Sequence, residues 1–338
     1  GIASDFVPLG RASDGTPTAE YNMVQLEELG LLKMDFLGLR TLTVLKDAVK
    51  NIKASKGIDV DIDHIDFNDK AVLDFIGTGK TEGVFQLESA GMQNFMKELK
   101  PQSFEDIVAG ISLYRPGPMD FIPDYIKGKN NRSTITYVTP ELESILEPTY
   151  GCIVYQEQVM QIVQKLAGYT MGQADNIRRA MSKKKQYVID AERQNFVYGN
   201  KVCGIKGCVA NGISEAAANS IYDSMVDFAK YAFNKSHAAA YAVISVQTAW
   251  LKYYYPVEFM AALMTSVIDN STKASEYLYH CKELGIAVLP PDINKGWGEF
   301  TTEGNIVRYG LYAIKIVGRP VIDRLIEDRK TGGPYRTL

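Results

Sequence analysis

The feature that most constrains this chain is a helical spacing of apolar residues that recurs along most of its length and is cut repeatedly by proline. Val159, Ile162, Val163 and Leu166 share one helical face, and Ile221, Met225 and Phe228 share another. Pro116, Pro118, Pro123, Pro140, Pro148 and Pro256 punctuate these patterns, which predicts many separate helices joined by short loops such as RPGP and EPTYG. The expected fold class is mostly α with small β elements, an α+β arrangement. A length of 338 residues predicts two or three folding units. With 46% hydrophobic and 23% charged residues, a packed core is expected and disorder is not. The chain opens on Gly1 and stops in mid-pattern at GGPYRTL, which predicts a piece of a longer protein. Its longest apolar run, HAAAYAVISVQTAWL, is interrupted by Ser245, Gln247 and Thr248 and is too short to cross a bilayer, so no membrane partner is expected.

Two segments of small β character stand out. Leu32, Met34 and Phe36 alternate with Lys33 and Asp35, which predicts a half-buried strand delivering Asp35 near its end. After Gly38, Leu42, Leu45, Val49 and Ile52 return to helical spacing. Near the other end, LPPDIN breaks the helical region, a strand-like NIVRYGLYAI follows, and IKIVGRPVIDRLIEDRK reads as a helix–turn–helix pair. A boundary near Leu289 is expected.

Several motifs compete for the chemistry. DVDIDHIDFND, Asp59 to Asp69, places Asp59, Asp61 and Asp63 on one side of a predicted strand, the density a divalent metal site needs. GTGKT, Gly77 to Thr81, has the tail of a P-loop, but Asp74 stands where the first glycine is required and no buried strand clearly precedes it, so a plain turn is expected. Cys203 and Cys208 in CGIKGC have no second pair at zinc spacing. A glycine-rich hairpin with two ordinary thiols is the reading, and the four cysteines fit reduced thiols in a cytoplasmic protein.

A net charge of −3 excludes binding of nucleic acid by bulk charge, so local clusters must do such work. KGKNNR, Lys127 to Arg132, reads as a solvated run. In the helix predicted from Ala174 to Lys185, Ala174, Ile177 and Met181 point inward and leave Arg178, Arg179, Ser182 and Lys183 available to phosphate oxygens. In FNKSHAAAY, Asn234, Lys235, Ser236 and His237 gather at a helix start, where backbone N–H groups favour anions; capping by Asn234 or Ser236 is the structural alternative. Arg115 sits in a loop that two prolines stiffen.

LLKMDFLGLRTLTVLKDA, GVFQLESAGM, LYRPGPM, EPTYGCIVYQEQVMQI, RRAMSKKK and FAKYAFNKSHAAAYAVISVQTAWLKYYYPVEFMAALM, in this order, closely resemble the bacterial DNA polymerase III alpha subunits, the C family of replicative polymerases. The resemblance spans essentially the whole chain. It implies template-directed DNA synthesis by a two-magnesium mechanism in the complete protein. Residues 1–40 would close the palm, 41–289 form the fingers, and 290–338 begin a tandem helix-hairpin-helix module.

By the same resemblance, Asp35 in KMDFLGLRT is a catalytic, metal-ligating carboxylate whose two companions lie upstream. DVDID follows that motif instead of preceding it, so it is not the missing pair, and the chain alone is expected to be inactive. Arg178, Arg179 and Lys183 would hold the triphosphate, with Arg115 a further nucleotide-site candidate. Asn234, Lys235, Ser236 and His237 would check the nucleotide sugar or the minor groove. Implied partners are primer-template DNA and deoxynucleotide triphosphates, with a sliding clamp and other replicase subunits held through regions mostly outside this chain. In AIKIVGRPVIDRLI, Ile316 and Gly318 stand where two hairpin glycines are usual, which weakens the expected phosphate contact. A non-catalytic nucleic-acid-binding scaffold is the alternative; indifference to nucleotide triphosphates would distinguish it.

Overall fold

A twenty-residue helix, Lys235–Tyr254, is the spine of the larger of two units, and its composition explains why it can be. Ala238, Ala242, Val246 and Ala249 are buried, and such small side chains allow a close approach to the helix Phe104–Leu113, whose residues from Asp106 onward are all buried. The computed structural model describes residues 1–34, 37–182, 186–229, 231 and 233–337. It divides into residues 1–40 and 41–338, each considered by itself.

In the smaller unit, strands Leu9–Arg11 and Pro17–Ala19 pair antiparallel with Gly10 opposite Thr18, and Asn22 and Gln25 form a capping box on the helix Met23–Glu28. The strand expected from Leu32 to Phe36 is not found in its described part. Residues 31–34 are irregular, and Leu32 and Met34 are 83% and 60% exposed. Alternation supplies a face but not a ladder, and among the described residues of this unit the two strands pair only with each other. Asp35 and Phe36 lie outside the described residues.

The larger unit is built on three main apolar cores. Helices Gln156–Ala167, Met171–Ser182, Gln186–Tyr198 and Glu215–Ala229 enclose the first, with Val159, Ile162, Val163, Leu166, Ile221 and Met225 inside as their spacing predicts. The second joins Lys70–Gly77, Ala90–Leu99 and Phe104–Leu113 to the spine. The third sets Arg40–Lys56 and Pro256–Ser266 against a three-stranded sheet. Within it Val44, Leu45, Ala48 and Ile52 are buried while Leu42 is exposed, so the inward face is rotated from the one predicted.

In that sheet Val288–Leu289 runs parallel to Ile306–Arg308, and Thr301–Glu303 pairs antiparallel on the other side. The sequence boundary at Leu289 therefore crosses the sheet. Beyond it, the predicted helix–turn–helix pair keeps only its second helix, Arg319–Gly332; the first arm, from Ile314, is a bend and turn that follows one 3-10 turn, Leu311–Ala313. The backbone N–H groups of Leu311 and Tyr312 donate to Trp297 and Gly298, at 2.8 and 2.9 Å, which ties that 3-10 turn to a neighbouring loop and not to a helical ladder.

CGIKGC is a tight glycine hairpin, as expected. Asn200 and Ile205 exchange backbone bonds, and Gly207, at φ +82°, passes so close to Gly199 that a Cβ would sit 2.3 Å from its nitrogen. Cys203 is exposed and Cys208 buried, with burial pushing the Cys208 thiol up to about 12. No helix among the described residues is long and apolar enough to cross a membrane.

The polar residues that interrupt the spine's apolar run are anchors for loops. Gln247 Nε2 donates to Ile62 O at 3.1 Å, Phe85 N donates to Thr248 Oγ1 at 3.1 Å, and the buried Lys252 ammonium donates to Lys80 O and Glu82 O at 2.8 and 2.7 Å. Burial lowers the Lys252 pKa from 10.5 to about 8, with Glu82 opposing the shift. Between those values the unfolded chain holds a proton that the folded chain has released, so this group makes stability rise with pH from about 8 toward 10.5. Above about 10 the buried tyrosines act oppositely, because burial raises Tyr150 to about 12 and the folded chain there keeps a proton the unfolded chain has lost. Denaturant titrations of the wild type and Lys252→Met should show the variant less stable, from two carbonyls left without their donor, with the gap widening between about pH 7 and pH 9.5.

Candidate functional site

The helix Met171–Ser182 turns Ala174, Ile177 and Met181 into the first core, which leaves Asp175, Arg178 and Arg179 on its outer side. One carboxylate joins both arginines. Asp175 Oδ1 accepts from Arg178 Nε and Nη2 at 3.0 and 2.6 Å, and Oδ2 meets Arg179 Nε at 2.7 Å. Hydrogen bonds from Arg178, reinforced by the charge of both guanidiniums, hold the Asp175 carboxyl below its usual range. Arg178 Nη1 also donates to Gln156 Oε1 at 3.0 Å, so this side chain is tied to the neighbouring helix Gln156–Ala167.

Gln156 belongs to a short segment that holds the second candidate as well. Tyr155 bridges Phe233 in parallel, and Gln156 N donates to Phe233 O at 2.9 Å. Glu157 accepts the Lys235 backbone N–H on both carboxylate oxygens at 3.1 Å, as a carboxylate at a helix start should. The Lys235 ammonium lies 3.0 Å from Glu105 Oε2 and 5.3 Å above the Tyr155 ring. Asn234 is the cap, its Oδ1 accepting from His237 N at 2.8 Å; Ser236 is exposed. The exposed His237 ring packs on Tyr241 at 4.3 Å and edge-on to Phe233 at 5.4 Å. The Arg115 guanidinium stands 4.5 Å over the Phe233 ring. Its loop must approach closely: Gly117 has φ +103°, and a Cβ there would lie 2.4 Å from the Tyr231 ring.

Arg115, Arg178, Asn234, Lys235 and His237 are thus gathered around the pairing of residues 154–156 with Phe233 and of Glu157 with the Lys235 N–H, and Arg179 joins them through Asp175. Lys183 and Asp35 lie outside the described residues. Sequence reasoning missed Glu105, Tyr155, Gln156, Glu157 and Asp175. Of these only Asp175 carried a local signal, its i,i+3 and i,i+4 spacing to the arginines.

The competing motifs have structural work. Residues 57–61 form no strand, and Ile62–His64 is a 3-10 turn. Asp59 pairs with Lys53 at 2.7 Å, Asp61 contacts His64 Nδ1 at 2.8 Å, Asp63 accepts from Gln247 at 3.3 Å, and Asp69 caps the following helix. The helix Lys70–Gly77 ends on the first residue of GTGKT, and Gly79 there fits against Gln93 and Lys97. In KGKNNR, Lys129 departs from a solvated run: its side chain is 4% exposed and reaches Asp106 at 3.5 Å and Lys100 O at 2.9 Å. Among the described residues no three acidic, histidine or cysteine side chains are placed to hold a metal ion.

At the hairpin before Arg319–Gly332, Ile316 has φ +75° and is fully exposed, so a β-branched residue occupies the left-handed position that glycine favours. Ile316→Gly should raise stability by about 1 kcal/mol in denaturant titration, the relief of left-handed strain exceeding the entropy cost of glycine. Asn234→Ala should lower it by about 1 kcal/mol through loss of the cap, and Asn234→Asp should largely keep it.

Residues 41–203 match the finger domain of the bacterial DNA polymerase III alpha subunit, and residues 285–338 match the helix-hairpin-helix motif. Three relatives described as DNA polymerase III subunit alpha are similar along almost the whole chain. The Thermus aquaticus protein is 46% identical over 340 residues, covering 99% of this chain and 27% of its own length. That of Bacillus subtilis is 47% identical over 327 residues, covering 97% and 29%. That of Mycobacterium tuberculosis H37Rv is 45% identical over 339 residues, covering 98% and 28%. The chain therefore spans less than a third of the length of these relatives, and it belongs to the family of bacterial DNA polymerase III alpha subunits.

Proposed function

We propose that this chain supplies the nucleotide- and DNA-gripping part of a cytoplasmic, template-directed DNA polymerase. In this reading residues 1–40 end the palm, 41–289 are the fingers, and 290–338 open the helix-hairpin-helix module that holds duplex DNA. The single observation that carries it is the docking of residues 154–157 on Phe233 to Lys235, which gathers the arginine pair, the capped start of the spine helix and Arg115 around one segment. Cations at a helix start, aromatic faces and a rigid loop together suit a triphosphate, a sugar and a base. Arg178, Arg179 and Lys183 would take the polyphosphate, with Arg115 beside them. Asn234, Lys235, Ser236 and His237 would border the sugar and nascent pair.

The reaction of the complete enzyme is attack of the primer 3′-hydroxyl on the α-phosphate of a deoxynucleotide triphosphate, with pyrophosphate leaving. The described residues do not form the magnesium site. The reading assigns both ions to Asp35 together with carboxylates from outside this chain. What these residues contribute is orientation of the triphosphate, and its negative charge is met by side chains already held in place. The clamp and other replicase subunits are assigned to regions mostly beyond the chain.

The test is single-nucleotide incorporation by the complete polymerase carrying Asp35→Asn, with Asp61→Asn as the matched control. Asp35→Asn should lower kcat at least ~100-fold with DNA binding retained, while Asp61→Asn stays near the wild type. The reverse pattern would place the metal site in the aspartate cluster. Magnesium-dependent primer extension by this chain alone would also overturn the reading.

A further inference from the structure

We infer that Asp175 is the positioning residue of the arginine pair, tethering both guanidiniums so that Arg179 meets the polyphosphate while Arg178 ties the pair to Gln156. The inference rests on the nucleotide reading above and divides roles that the sequence assigns jointly. An arginine has five N–H donors. Asp175 and Gln156 engage Arg178 at Nε, Nη1 and Nη2, and its side chain is only 20% exposed. Asp175 holds Arg179 by Nε, and that side chain is 64% exposed. The tether thus does not use the terminal nitrogens of Arg179, the part of the fork that reaches farthest from the helix.

This geometry decides the sign of Asp175's effect. A carboxylate gripping the terminal nitrogens would have to be displaced by phosphate, and its removal would tighten binding. One gripping the Nε side can stay while phosphate binds. It screens the repulsion between two adjacent guanidiniums and restricts a long side chain before the ligand arrives, so less freedom is lost on binding. Removing it weakens the site, although removal also makes the local charge more positive.

The experiment is single-nucleotide incorporation by the complete polymerase with Asp175→Asn, Asp175→Glu, Arg179→Ala and the Asp175→Asn/Arg179→Ala pair. Asp175→Asn should raise the nucleotide KM ~10-fold, the scale of ordering one long side chain, with kcat within about threefold. Asp175→Glu should recover most of the loss, since a carboxylate at the same helical spacing still reaches both arginines. The double variant should be no worse than Arg179→Ala alone, because Arg178, which Asp175 would still hold, is not the arginine that meets the polyphosphate and stays tied to Gln156.

If Arg179→Ala raises KM but Asp175→Asn leaves it unchanged or lowers it, the tether is wrong and the nucleotide reading stands. If Arg179→Ala leaves KM unchanged, the nucleotide reading itself fails. A joint loss of kcat and KM with a lowered denaturation midpoint in Asp175→Asn, not rescued by Asp175→Glu, would make Asp175 merely structural and overturn the inference.

Discussion

The bond network at the start of the spine helix is the constraint on which the rest depends. Lys235–Tyr254 is about 30 Å long at 1.5 Å per residue, and a rod of that length must be fixed at one end for its other contacts to hold register. Its first turn is fixed twice, by the Asn234 cap and by Glu157 on the Lys235 N–H, and the pairing of Phe233 with residues 154–156 sets the approach of the preceding chain. Along its length, Gln247, Thr248 and Lys252 then take the carbonyls and N–H groups of two loops. A buried helix with these polar teeth has one register only, because a slip would orphan each of these groups.

Local periodicity carried what periodicity can carry. The inward faces of Gln156–Ala167 and Met171–Ser182 were legible because burial repeats within a few residues of itself, and so was the predominance of helix. The extended reading of Leu32 to Met34 was not, because alternation is a property of one segment while a strand is a property of two. Asp59 to Asp63 shows the same limit: Val60 and Ile62 do pack against the third core, yet the backbone between them turns and does not pair. A run of charge is equally ambiguous, since Lys129 lies within a polar stretch but turns under Asp106.

The assembly of the candidate site was legible only in pieces. RRAMSKKK and FNKSH could each be read as a cationic helix end, but their common dependence on residues 154–157 joins positions 78 residues apart and leaves no local trace. Family resemblance supplied roles to the cations and said nothing of the carboxylates that hold them. The spacing of Asp175 to Arg178 and Arg179 was visible but reads, taken alone, as an ordinary surface pair of little energetic weight.

That pairing shows how, in the proposed reading, a chain of net charge −3 would offer a polyanion a usable surface. Attraction from a distance depends on summed charge and is screened by salt, whereas recognition at contact depends on where donors point. Asp175 on the arginines and Glu105 on the Lys235 ammonium each lower the local positive charge. They also orient a flexible cation that would otherwise have to be ordered at binding. Glu157 does the same for the backbone, fixing the helix start without covering the lysine side chain. In the proposed nucleotide reading, the acidic residues around this site are therefore not a defect. They exchange long-range attraction for geometry, and a site that must select among ligands of similar charge gains more from geometry than from charge.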